Sequence, residues 1–155
     1  MIDRAVPDRG SIFRLHVGTA LLASGQAWPA SIRDTWSIGG TAPATVRMRE
    51  YPLEKAVSDY IGAMPFLWLA VDDPPGPKSE RSVIEVGSIA LLSNLHRAQI
   101  DAPSIAWLGR NADRAVIRES GLWNVNHVRE TPNVTFLDVL ARRIARSKPD
   151  PARNP

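Results

Sequence analysis

The chain has 155 residues, with 19 Lys and Arg against 16 Asp and Glu, a formal net charge of +3 and a pI of about 9.8. That length fits one domain, and 44% hydrophobic residues suffice for a core. There is no cysteine, which excludes a disulfide framework and thiolate metal sites, and no apolar run reaches membrane-spanning length. The charged first residues, Met1 to Arg9, carry no secretion signal, so the cytoplasm is the expected compartment. Lysine occurs only at Lys55, Lys78 and Lys148. The remaining cations are guanidinium groups, whose planar forks match phosphate.

Ser11 is placed to cap a first helix and Gly25 to stop it. Phe13, Val17 and Ala20/Leu21 form one stripe at helical spacing, with Arg14 and His16 elsewhere on the helix. Residues 28–43 read as a Gly/Pro/Ser-rich connection, with a short strand expected at residues 35–38. Pro52 suits the first turn of a helix buried on Leu53, Val57 and Tyr60/Ile61 and ended by Gly62. Any helix before Pro52 would kink there. Residues 65–71, Pro-Phe-Leu-Trp-Leu-Ala-Val, give the clearest strand pattern, as for a strand covered on both faces. A rigid Asp/Pro/Gly turn occupies residues 72–78.

A helix follows to about His96, then a loop anchored by Trp107. Asn111 can cap a short helix that ends at Gly121. Residues 122–128 alternate as an extended segment would. The last helix runs from about Thr135 to Arg146, apolar on Phe136/Leu137, Leu140 and Ile144. Its other face carries Arg142, Arg143 and Arg146. Residues 1–146 form the single expected domain, and residues 147–155 a disordered tail. One strand makes no sheet, so residues 65–71 need partners from 35–38, from 122–128, from another chain or from residues this chain lacks.

Glu85 is the one carboxylate inside the apolar run Val83-Ile-Glu-Val-Gly-Ser-Ile-Ala-Leu-Leu-Ser-Asn94. A charge there must be paired, capped, exposed or metal-bound. Ser82-Val-Ile-Glu85 is a capping-box pattern, with Arg81 one turn back for an ion pair; the other reading is a metal ligand. Asn94 suits a helix C-cap as well as a site role. Arg14 can hold a phosphate or pair with a nearby acid, and His16, two residues on, faces another direction. His96, at a helix end, complements the helix dipole. Asn124, Asn126 and His127 are the densest polar cluster, fit for reading a nucleic-acid backbone or for forming turns. Trp107 and Trp123 suit core anchors or base-stacking platforms.

Five blocks, in order, resemble a group of bacterial GIY-YIG-like nuclease-domain proteins. They are Arg9-Gly-Ser-Ile-Phe-Arg-Leu-His-Val-Gly18, Tyr60-Ile-Gly-Ala-Met-Pro-Phe-Leu-Trp-Leu69, Ile84-Glu85 with Ile89-Ala-Leu-Leu-Ser-Asn94, Trp107-Leu-Gly-Arg110 and Ser120-Gly-Leu-Trp-Asn-Val-Asn-His-Val128. The resemblance implies an α/β (α+β) fold: a small helix-rich domain around a short antiparallel sheet, incomplete in this chain. Residues 65–71 would be its third strand, Glu85 the ligand for a divalent cation, Mg²⁺ or Mn²⁺, and Asn94 the supporting Asn. The tyrosine-bearing hairpin and Arg-bearing helix of that group have no counterpart here. No catalytic Tyr or Arg is carried over, and Tyr60-Ile-Gly62 stands at the wrong place to be the eponymous motif.

The function so implied is a metal-dependent DNA endonuclease-type domain, truncated or weakly active. Arg14, His16, Asn94, Asn124, Asn126 and His127 would support the site or bind nucleic acid. The alternative is a non-catalytic module that binds nucleic acid or protein, with a homodimer or partner chain at an open strand edge.

Overall fold

The computed structural model describes residues 11–95 and 98–147. The expectations for His96 and for the tail beyond residue 147 lie outside the described residues. Six α-helices follow in order: α1 Ile12–Ala23, α2 Ala30–Arg33, α3 Ala44–Gly62, α4 Glu80–Leu92, α5 Ala115–Ser120 and α6 Phe136–Arg146. Two 3₁₀ turns, Trp36–Thr41 and Leu108–Asn111, join them.

The main core forms where α1 packs on α3 and on both 3₁₀ turns. Ser11 caps α1 by accepting from the Arg14 N–H, and Gly25 follows the helix with φ 87°. The stripe read from sequence is the buried face: Val17, Ala20, Leu53 and Val57 are fully buried. Burying each such Val or Leu contributes about 1.5–3 kcal/mol. Trp36 closes this core, and its indole N–H donates to the Leu15 carbonyl at 3.1 Å. The ring lies so close to α1 that a Cβ on Gly18 would meet it at 2.1 Å.

A second layer pairs α4 with α6. Phe136, buried at the start of α6, lies against Gly87 of α4, where a Cβ would meet the ring at 2.3 Å. Glu80 of α4 also pairs with Arg143 of α6. Past α4, the chain is stitched to the end of α5 and to the segment after it. The Asn94 N–H donates to the Ser120 carbonyl at 2.9 Å, and the Ser93 hydroxyl to the Val128 carbonyl at 2.7 Å.

The expected α/β architecture is overturned: among the described residues there is no β-strand and no sheet. Residues 35–38 run into the 3₁₀ turn Trp36–Thr41 rather than a strand. Residues 122–128 are bounded by left-handed backbone at Gly121 (φ 74°) and His127 (φ 62°), which bends the run instead of extending it. Residues 65–71 stay irregular because neither candidate partner is extended. Among the described residues they make no backbone–backbone hydrogen bond. A strand exists only as a paired object.

Smaller differences have local causes. α3 begins at Ala44, eight residues before Pro52, and carries that proline in its interior. α5 begins at Ala115, and Asn111 instead ends the preceding 3₁₀ turn.

Candidate functional site

α4 begins one turn earlier than the Ser82 capping pattern implies. Ser79 is the N-cap, and its hydroxyl accepts from the Ser82 N–H at 3.1 Å. The Asp73 carboxylate accepts from the Glu80 N–H. With those donors satisfied, Glu85 is released from capping and lies in the second turn. It is exposed, and makes no hydrogen bond or ion pair among the described residues. Arg81, one turn back, donates instead to the Val71 carbonyl at 2.8 Å. Glu85 is therefore a free mid-helix carboxylate rather than the buried anion its apolar surroundings suggest.

The other candidates are dispersed. Arg14 on α1 donates to the Glu54 carboxylate at 2.8 Å, the Glu54 carbonyl at 3.3 Å and the Ser58 hydroxyl at 2.9 Å. Glu54 is buried, so this pair ties α1 to α3. His16 points elsewhere, as its spacing implies. It is buried, with Nδ1 at 3.6 Å from the Asp113 carboxylate. Asn94 is buried two residues beyond α4, and its side-chain amide donates to the Asp101 carbonyl at 2.9 Å. Its Oδ1 is buried without a hydrogen-bond partner.

Asn124 and Asn126 are exposed on the loop after α5, while His127 is half-buried. His127 Nδ1 lies 2.5 Å from a Glu130 carboxylate oxygen. Asn126, His127, Arg129 and Glu130 line an open hollow of about 420 Å³. Glu130 also lines a neighbouring hollow of about 250 Å³, walled by Ser82 and Gly87 of α4 and Phe136 of α6. Sequence reasoning missed Glu130, although its three-residue spacing from His127 was legible. Trp107 and Trp123 prove to be anchors. Trp123 makes edge contacts with Phe13, Tyr60 and Trp107, at centroid separations of 5.9, 6.3 and 5.6 Å.

Among the described residues, no three His, Asp or Glu side chains come together to hold a metal. A lone carboxylate such as Glu85 suffices only for a Mg²⁺-like ion that keeps most of its water and takes its other ligands from substrate oxygens. It does not fit a zinc-like site, which needs three or four protein ligands.

Among the described residues no helix is long and apolar enough to cross a membrane. No curated protein and no solved structure matches the chain. A family model described as a GIY-YIG domain matches residues 5–150. With nearly the whole sequence inside that match, the chain belongs to the GIY-YIG domain family, a family of nuclease-type domains.

Proposed function

We propose that this domain binds DNA in the cytoplasm and hydrolyses its phosphodiester backbone with Mg²⁺ or Mn²⁺ bound at Glu85. The observation that carries this reading is the Glu85 carboxylate, exposed in mid-helix without a partner among the described residues, inside a nuclease-type family match. A divalent ion there supplies charge stabilisation at the reacting phosphate. Asn124 and Asn126 are exposed and offer amide donors to phosphate oxygens. Asn94 supports α4 from beneath its end through its bond to Asp101. Arg14 and His16 act at a distance in this reading: Arg14 by fixing α1 on α3, His16 by facing Asp113. The net charge of +3 favours approach to a polyanion.

The test is nicking of supercoiled plasmid with Mg²⁺ or Mn²⁺ by the native protein and by Glu85→Ala. A loss of about tenfold or more is expected for the variant. Equal nicking by both removes Glu85 from the mechanism.

A second reading, a non-catalytic binding module, is favoured by a separate observation. Phe66, Leu67 and Trp68 are consecutive, apolar and largely exposed, and Leu67 is fully so. Such a segment, with no backbone–backbone hydrogen bond among the described residues, suits addition to a strand of a second copy or of another chain.

A further inference from the structure

We propose that His127 and Glu130 form an oriented imidazole–carboxylate pair whose free nitrogen takes the proton of the attacking water. The proposal deepens the nuclease reading and rests on it. Three independent observations converge on these two residues.

The first is backbone conformation. His127 is the only non-glycine residue with positive φ among the described residues, at 62°. An L-residue in this region costs about 1–2 kcal/mol, although His tolerates it better than most. The second is the contact itself. Glu130 lies 2.5 Å from Nδ1, close enough to hold the proton on that nitrogen and leave Nε2 as the acceptor. Nε2 has no hydrogen-bond partner among the described residues. The third is place. Both side chains line the open hollow of about 420 Å³, large enough for a phosphodiester and its water. Asn126 lines the same hollow and carries an amide donor suited to phosphate oxygens.

The chemistry is a hydrolysis. The water oxygen forms a bond to phosphorus as the bond from phosphorus to the leaving sugar oxygen breaks. The proton lost by the water passes to His127 Nε2, and the leaving oxygen takes a proton from solvent. Glu130 keeps the ring in place and stabilises the imidazolium that forms. His127 is thus the catalytic base, and Glu130 a positioning residue.

The experiment compares plasmid nicking by the native protein, His127→Gly and Glu130→Gln, with and without added imidazole. Glycine accepts the left-handed backbone without strain, so His127→Gly removes the ring while preserving the loop. Its nicking rate should fall by about 10²–10⁴-fold. Free imidazole, which reoccupies the vacated place, should restore part of it. Glu130→Gln should lose less, and imidazole should not restore it. His127→Asn, which also tolerates this backbone, repeats the comparison if the glycine variant fails to fold.

Nicking by His127→Gly at the native rate overturns the proposal while leaving the nuclease reading intact. So does a loss that imidazole leaves unchanged. Absence of nicking by the native protein overturns both.

Discussion

At the scale of single residues, the chain separates charges that hold the fold from charges left open. Arg14 illustrates the first kind. Its guanidinium is enclosed by the Glu54 carboxylate and carbonyl and the Ser58 hydroxyl. A phosphate would have to compete with a buried carboxylate for it, and that carboxylate would lose a donor. Among the described residues Glu85 and His127 are of the second kind, one with no partner and the other with one nitrogen engaged. Sequence spacing told Arg14 from His16, because residues two apart on a helix point in different directions. It could not tell which acid Arg14 would find, since Glu54 lies forty residues away on another helix.

Tyr60 supplies a pH test at the same scale. Burial pushes its hydroxyl above the ordinary value of 10.0, against opposing effects of the Leu108 backbone and the Trp123 side chain. The folded state therefore holds this proton more tightly than the unfolded chain does. The stability it contributes is fully present below about pH 10 and is lost as pH rises through the raised folded value. Melting temperature should fall less steeply above pH 10 in Tyr60→Phe than in the native protein; parallel slopes would show that Tyr60 carries none of the alkaline sensitivity.

At the scale of elements, close approach decides the packing of α4 on α6. Phe136 occupies the space that a side chain at position 87 would fill. Gly87→Ala should cost about 1–3 kcal/mol through overpacking, although alanine favours helix. Chemical denaturation measures it, and a stabilised variant would show that α6 can shift away freely. Glycine at positions 18 and 87 reads in sequence only as a weak helix residue. Its purpose becomes visible when the facing aromatic is known. The start of α4 teaches the same point. Ser79 and Ser82 are both acceptable caps by composition. Asp73, folded back from the preceding turn onto the Glu80 N–H, accompanies the earlier start. That choice turns Glu85 from a capping residue into an exposed carboxylate.

At the scale of the whole molecule, the polypeptide is a set of helices around a small core, with an apolar segment left outside it. Phe66, Leu67 and Trp68 together expose far more apolar surface than a lone surface hydrophobe does. If a second copy covers them, Leu67→Lys should abolish self-association in sedimentation velocity. Folding stability should stay within about ±0.5 kcal/mol, because Leu67 touches little in the folded chain. A native protein that stays monomeric at high concentration, and is unchanged by Leu67→Lys, rules out the second copy.

Local sequence determined that helices occur at α1, α3, α4 and α6, where α1 and α6 begin and end, which faces of α1 and α3 are buried, and the divergence of Arg14 from His16. Those properties depend on neighbours within a turn or two, where periodicity and caps act. The tertiary structure decided that the apolar run at 65–71 has no sheet to join among the described residues, that Glu85 faces solvent, and that His127 meets Glu130 in a hollow. Pairing, exposure and loop curvature depend on what other segments bring alongside. Composition at one position carries no record of a partner that arrives from far along the chain.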